Sequence, residues 1–595
     1  MVARAVTKKI TDLPTYGLNN NTGNVLYSED GIAYQYPITD LVLKNDLASA
    51  ESSLGGSLVG LEQGGTVQDA IWYKSVEMFG AIGDGVTDDT AAIQAALTWL
   101  CTGSYRTLTT SSGKKYRTIA GLTATFQDYV IGCKLIMSGP LVPETYVTNA
   151  LVIYNAVSSH FELAVVGAGA ENVESLPDYS AADPDGCVQA FVIDNSRNNY
   201  ISVWGFGFAG RVLRTQSTGD LKTSNNIYKF RTGDTASAVG TGNCGQACYL
   251  QGGSDAFGII EASRTAWDIY GSVLDRIADV TITSWEADGG NYGPAMTFTQ
   301  VGSGHIGTLS LGSQNREYPV FLFQDYGTSA PASKVHIERI FTVNGSIGIQ
   351  VLGTTSGNTQ RVPLHISSAF TYYQPIGVEF NNISNVEIEN LVTDSTTNHS
   401  VYFDGTCRNI RINGGFLMNP SVDAIKTAPT ADINYCYFTL RARSAVSGIS
   451  LVDLSEGTVG SLTFRDCYFN ADNGYVFNCQ SGNTIKVIGG NYTGGTSFYK
   501  NNRPESISET SYPIVKRRGS SNFASGSTNG STVTITHGLN ITPTDIDLRW
   551  VGIPASGAQL ILTDTTATTF TVTLSTSTVL SAQVNFRWFA NANLV

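Results

Sequence analysis

An all-β chain whose body is a stack of parallel β coils is the fold class this sequence predicts, and three observations point to it. Of 595 residues only 14% are charged and 62 are Gly, a composition that suits many short strands and tight turns. Runs of the Lys, Glu and Leu that build helices are nearly absent. An apolar residue, three variable positions and a second apolar residue recur between Ile337 and Tyr492, and a coil of this kind cannot bury its inward face alone, so stacking has to supply the core.

The first 70 residues are short polar pieces ending in Ser57-Leu-Val-Gly and Thr66-Val-Gln-Asp. They read as a head and neck distinct from the body that starts at residue 71. Val76-Glu-Met-Phe-Gly-Ala-Ile-Gly-Asp-Gly-Val-Thr-Asp-Asp-Thr-Ala-Ala-Ile-Gln-Ala-Ala-Leu97 follows. It reads as a strand, a glycine-rich turn and a helix. Gly80, Gly83 and Gly85 permit turn conformations that other residues resist, Thr87 or Asp88 supplies a helix cap, and Asp88 and Asp89 suit the positive end of the helix dipole. Ile93, Ala96, Leu97 and Leu100 fall on one face, which must lie on something apolar. The aspartates are therefore expected to turn and cap the chain rather than catalyse.

This segment is similar to the signature that opens the right-handed, single-stranded parallel β-helix of pectate-lyase-like proteins, bacteriophage tailspikes above all, and the preceding neck pieces resemble theirs in order and distance. The resemblance implies that the helix plugs one end of the β-helix. It also implies a homotrimer, virion attachment through residues 1–70 to another tail or baseplate protein, and depolymerisation of a bacterial capsular polysaccharide or O-antigen. Catalytic positions are not carried by the signature.

Successive rungs of the body can be written as Ile337-Glu-Arg-Ile-Phe341, Ile366 to Phe370, Ile388 to Val392, Ile412 to Phe416, Ile433 to Tyr437, Phe464 to Tyr468 and Ile488 to Tyr492. Their starts lie 29, 22, 24, 21, 31 and 24 residues apart. Such spacing fits one coil with loops of uneven length. The β-helix is thus expected over 71–502, with a Pro-, Ser- and Gly-rich linker at 503–530. Alternating or apolar segments at 532–536, 545–550, 559–562, 569–574 and 583–589 then predict a small C-terminal β-sandwich over 531–595. Its expected role is trimerisation or carbohydrate binding.

Functional residues are sought where the repeat breaks its own pattern. Ile282-Thr-Ser-Trp-Glu286 puts a carboxylate where later rungs have Phe, Val or Tyr, and Ile260-Glu-Ala-Ser-Arg264 puts Arg264 there one coil earlier. Glycoside hydrolysis needs one protonated carboxyl and one ionised carboxylate. Glu286 is the expected general acid and Asp288 the base, with Glu261 as the alternative partner and Asp268 nearby. Arg264 is expected to orient the acids or hold a substrate carboxylate, and Trp285, Tyr292 and Tyr318 to stack on sugar faces. Glu317 and Asp325 are the next candidates. A lyase acting on a uronic acid and a non-enzymatic receptor-binding fibre are the rival readings.

Other features exclude more than they assign. A net charge of −13 with no basic stripe argues against nucleic acid. No apolar run is long enough to span a bilayer, and the first residues lack the continuous apolar core of a secretory signal, so synthesis in the host cytoplasm and residence in the virion tail are expected. The nine cysteines form no double pair of zinc spacing and read as buried thiols. His305, His336, His365 and His399 read as scattered structural residues. Neither a metal nor an organic cofactor is implied.

Overall fold

The computed structural model describes residues 24–29, 32–37 and 71–593, apart from 145–148, 168–188, 209, 219–222, 233–245, 261–262, 269–270, 290–292, 314–316, 325–333, 354–362, 445, 481, 495–496, 501–513, 540–541 and 553–556. Two compact units are present, Met1–Lys74 and Ser75–Val595. In the first, Asn24–Glu29 and Ile32–Pro37 pair as an antiparallel hairpin. The neck pieces Ser57-Leu-Val-Gly and Thr66-Val-Gln-Asp lie outside the described residues.

In the second unit the expected β-helix is present, about 12 turns of parallel coil. The strand Val335–Val343 shows how a coil is built. Its first residues pair in parallel with Gly304–Ile306 and Leu364–Ile366, forming face A, and its residues from Arg339 onward pair with the next parallel ladder, face B. Ile347–Leu352 then forms face C, parallel to Pro319–Gln324 and Ile376–Asn381. Side chains of one face-A column run from Ile260 through Ile282, Ile306, Ile337, Ile366, Ile388 and Ile412 to Phe438, Phe464 and Val487. All are buried. Stacked like on like, each removes about 1.5–3 kcal/mol worth of apolar surface from water.

That column also corrects two rungs. Phe438 and Val487, not Ile433 and Ile488, belong to this column, Ile433 being buried in another between Cys407 and Val459, and Ile306 marks a coil between the rungs at Ile282 and Ile337. Uneven loops shift where the strand begins, so a fixed offset drifts out of register. Corners repeat more faithfully than loops: Asn344, Tyr373, Ser395 and Asn419 all have φ between 48° and 60°. Asn344, Tyr373 and Asn419 donate their amides to the following coil, as Asn344 does to Tyr372 O at 3.1 Å. A left-handed residue there turns the chain from face B toward face C, a conformation asparagine tolerates better than most.

The end of the stack is covered as expected. The helix Thr90–Cys101 buries Ile93, Ala96, Leu97, Leu100 and Cys101. Gln94 both donates to Thr123 O (2.8 Å) and accepts from Thr123 N (2.9 Å), so it satisfies backbone groups of the strand Leu122–Thr125 that another strand would otherwise pair. The cap differs from expectation. Asp89 occupies the N-cap position, yet its carboxylate turns back to accept from Ile82 N and Gly83 N. Asp88 accepts from Thr90, and Asp84 from Val86 N and Thr87 N. Val76–Phe79, expected as strand, is a 3-10 helix ended by Gly80 at φ 99°.

The expected linker is only partly a linker. Ile514–Phe523 is a strand that continues face B by pairing in parallel with Asn491–Gly494, and it pairs antiparallel with Val584–Asn593. The five expected C-terminal strands are present. They form, with Ile514–Phe523, two three-stranded antiparallel sheets, in contact through Phe570 and Trp588 with ring centroids 5.3 Å apart. The seven described cysteines are buried. Burial pushes the thiols of Cys407, Cys436 and Cys467 up to about 12, which keeps them inert. Cys187 and Cys244 lie outside the described residues.

Candidate functional site

On face C two consecutive residues of each strand point inward, so the outward side chains come three apart. Val401 is buried between His399 and Tyr402, Ile425 between Asp423 and Lys426, Val452 between Ser450 and Asp453. Parallel register aligns these into two outward columns. One runs His399 to Asp423, and the other runs Gln350, Glu379, Tyr402, Lys426, Asp453, Asn478. Coils rise about 4.8 Å, so each charged group meets the next directly.

The result is an acid cluster with Lys426 at its centre. Lys426 Nζ lies 3.1 Å from Asp453 Oδ2 and 3.7 Å from Glu456 Oε1. Asp453 Oδ1 also accepts from Ser455 N at 3.0 Å, Ser455 Oγ at 2.6 Å and Asn478 Nδ2 at 3.0 Å. His399 Nδ1 stands 3.8 Å from Asp423 Oδ2, and its ring stacks on Tyr402 with centroids 5.4 Å apart. Asp423, Glu379 and Asp453 are only 6%, 7% and 9% exposed.

These surroundings drive the two aspartates apart. Burial, reinforced by the charge of Asp453, pushes the Asp423 carboxyl up to about 7. Burial also acts to raise Asp453, but the hydrogen bonds from Ser455 and the Lys426 ammonium outweigh it and hold that carboxyl below its ordinary value. Burial raises Glu379. His399 is pushed down to about 4, first by burial and then by Lys426, so at neutral pH it faces Asp423 uncharged. A protonated carboxyl and an ionised one on neighbouring coils are the two halves of acid–base chemistry.

The residues expected from sequence are placed as follows. Arg264 and Glu286 are direct register partners on face B, one coil apart, and Glu286 is exposed. Asp288 lies on the same strand, Ser272–Gly289. The side chains of Arg264, Asp268 and Asp288, and Glu261, Tyr292 and Asp325 entirely, lie outside the described residues. Glu317 is exposed and Tyr318 half-buried, just before Pro319–Gln324. Trp285 is a correction. It is 1% exposed and stacks on Phe230 inside the coil, centroids 5.3 Å apart, so it offers no face to a sugar.

The histidines are a second correction. His305, His336 and His365 are not scattered but stand in register on face A, with ring centroids 5.5 and 4.7 Å apart. Glu338 lies 3.2 Å from His305 and Glu389 3.0 Å from His365. Among the described residues no group of three or more His, Cys, Asp or Glu side chains is arranged to hold a metal, and no helix is long and apolar enough to cross a membrane.

Sequence reasoning missed Asp423, Lys426 and Asp453 because the rung template was anchored on faces A and B. A signal existed: His399-x-x-Tyr402, Asp423-x-x-Lys426 and Ser450-x-x-Asp453 repeat polar residues three apart in consecutive coils, around Ser400-Val401, Ala424-Ile425 and Leu451-Val452.

Fold and site together define a parallel β-helix with a buried-edge acid cluster on one outward face. No family model matches the chain. Among curated proteins it is similar to a capsule K30/K69-specific depolymerase of Klebsiella phage K64-1, 50% identical over 95 residues, which are 16% of this chain and 12% of that protein. It is also similar to depolymerase 1, capsule K30/K69-specific, of Klebsiella phage K5-2, 57% identical over 47 residues, 7% of this chain and 6% of that protein. The chain thus matches about an eighth or less of the length of these relatives. Among solved structures, the tailspike of Escherichia coli bacteriophage HK620 in complex with a pentasaccharide aligns over 93% of this chain and 100% of that one, at 11% identity and a TM-score of 0.46. A mutant of the same tailspike gives 0.48 at 10% identity over the same shares. With TM-scores below 0.5, neither likeness bears on the chemistry of this chain.

Proposed function

We propose that this chain is a phage tailspike that recognises and depolymerises a bacterial surface polysaccharide, capsule or O-antigen, by endo-acting hydrolysis. The observation that carries the proposal is the pair of face-C aspartates, in neighbouring coils around Lys426, whose surroundings push their proton affinities in opposite directions. The named activity of the two Klebsiella phage relatives supports the substrate class. Asp423, protonated, donates to the departing glycosidic oxygen, while Asp453, ionised, activates water or attacks the sugar carbon. Lys426 keeps Asp453 ionised, and Tyr402 lies in register beside Lys426 on the neighbouring coil. In this reading residues 1–70 attach to the virion, the chain works as a homotrimer, and residues 531–595 clamp the trimer or touch carbohydrate.

The test is to digest purified capsular polysaccharides with the intact protein and with Asp423→Asn and Asp453→Asn. New reducing ends from the wild type, lost in both variants, are the expected result. Products absorbing in the ultraviolet as unsaturated uronates would replace hydrolysis by elimination. Binding to cells without any oligosaccharide release would leave a receptor-binding fibre.

A second reading places the chemistry on face B at Glu286 and Asp288, with Glu261 as alternative partner and Arg264, Tyr292 and Tyr318 holding substrate. The register pairing of Arg264 with Glu286 favours it. Glu286→Gln decides between the two faces.

A further inference from the structure

Face B carries a groove that the acid cluster does not use. Its outward column runs Val392, Phe416, Arg441, Tyr468 and Asn491 in parallel register. Two depressions of about 480 and about 560 Å³ lie along it and share Phe416, Arg441 and Asp466. Local backbone chemistry opens the first. The ladder slips register between Asn413 and Phe416, where Gly414 and Gly415 adopt φ 117° and 115°. A Cβ on Gly415 would stand 1.9 Å from Leu391 O, so only glycine can floor the groove there.

The groups along the groove are those that bind a charged sugar chain. Phe416 is half-buried and Tyr468 40% exposed. They stand two coils apart, about 10 Å by the rise of parallel strands, with Arg441 between them. Arg441 is exposed and has no ion-pair partner among the described residues, whereas Arg443 beside it is engaged by Asp472 at 3.2 Å. Asn470, 8% exposed, and Asn491 line the second depression, and the side-chain oxygen of each is buried without a hydrogen-bond partner. Buried polar atoms are nearly always paired, so two orphan acceptors along one groove point to donors that arrive with a ligand. The hydroxyls of a saccharide are such donors, rings stack on sugar faces, and Arg441 suits a carboxylate. Asp466 at the border can accept further hydroxyls.

We propose that this groove is a second, non-catalytic binding site for an acidic oligosaccharide segment, with a carboxylate-bearing sugar at Arg441 between the Phe416 and Tyr468 rings. The proposal rests on the reading that the chain handles surface polysaccharide, and extends it by a charge requirement and a holding site on a face other than that of Asp423. Such a site would keep a long polymer attached while the acid cluster cuts it.

The experiment uses the full chain carrying Asp423→Asn, so that polymer survives the measurement. The probes are a uronate-containing capsular polysaccharide and the same polymer after chemical reduction of its carboxylates to alcohols. Arg441→Gln is expected to weaken binding of the native polymer at least tenfold and to leave the reduced polymer unchanged. Tyr468→Ala weakens both, with melting behaviour and assembly state retained. Equal binding of native and reduced polymer, wild-type affinity in Arg441→Gln, or no binding of the polymer at all would overturn the proposal. So would dissociation of the assembly in either variant, which would make this face a contact between copies. Cleavage by the Asp423-intact protein that ignores Arg441 removes the groove and keeps the depolymerase. Arg441-dependent binding without any cleavage does the reverse.

Discussion

Faces B and C are built from the same coils, yet over the coils from Phe341 to Phe416 they present different chemistry to the outside, aromatic or aliphatic on B and polar on C. On face C the outward column is Gln350, Glu379, Tyr402, Lys426, Asp453 and Asn478; on face B it is Glu286, Ser310, Phe341, Phe370, Val392 and Phe416. The inward columns of both are uniformly buried. The core therefore fixes register and leaves the outward columns free to differ. Crowding separates them further. Asp453 sits 9% exposed among partners, while Phe341 is 40% exposed, so the polar face is the one whose side chains are sequestered and whose proton affinities are disturbed.

The largest expected effect falls on face C. Asp423→Asn should lower the rate of reducing-end formation by about 10²- to 10⁴-fold, the range for loss of a general acid. Because the Asp423 carboxyl is held up at about 7, wild-type activity should fall as pH rises past about 7. Asp453, held low, limits the acid side. Stability gives an independent reading. Asp423 retains in the folded state a proton that the unfolded chain loses near its ordinary pKa of about 4, so its share of stability falls as pH rises from about 4 to 7. His399, pushed down to about 4, acts oppositely: its share is full above its ordinary pKa and is lost as pH falls toward 4. In Asp423→Asn the falling trend of Asp423 is gone; the rising trend of His399 remains, opposed within the cluster only by that of Glu379, which burial raises. Thermal melting of that variant should then rise with pH between about 4 and 6.5, and should exceed wild type most at pH 7 and above; parallel curves would remove Asp423 from the cluster.

How far the sequence could carry the comparison depends on parity. The 76–97 motif, the helix stripe and the C-terminal strands were legible because each is local: spacing alone selects their buried residues. The face-A isoleucines were legible for the same reason. The second position of each rung was not, because the strand bends between faces A and B. In a straight strand Ile337 and Phe341 would share a side, but Ile340 is buried and Phe341 is exposed, so the corner consumes one residue and inverts the pattern. Glu286 therefore does not break a core position; it continues an outward column. The same inversion turns Trp285 inward. Asp423 and Asp453 were hidden differently, since two consecutive inward residues on face C defeat a period of two.

An inward position should respond to mutation through packing. Trp285→Ala removes a large, 1% exposed side chain stacked on Phe230, and about 3–5 kcal/mol of stability should go with it. Ile366→Ala, deep in the face-A column, should cost about 2–5 kcal/mol. Denaturant melts check both. If Trp285→Ala instead lost activity with its melt unchanged, the ring would be serving substrate and the assignment of face B as a packing face would fail at that coil.

The smallest expected effect is the one that separates the two faces most sharply. Glu286→Gln changes an exposed group on face B and conserves its shape, so stability should move by no more than about 0.5 kcal/mol. With the chemistry on face C, the rate of reducing-end formation should stay within about twofold of wild type. Its salt dependence should change little, because an exposed charge is screened beyond about 8–10 Å. A tenfold or larger loss of rate in the folded variant, with Asp423→Asn still active, would transfer the acid role to face B. Arg264, in register with Glu286 one coil away, would then become the residue to change next.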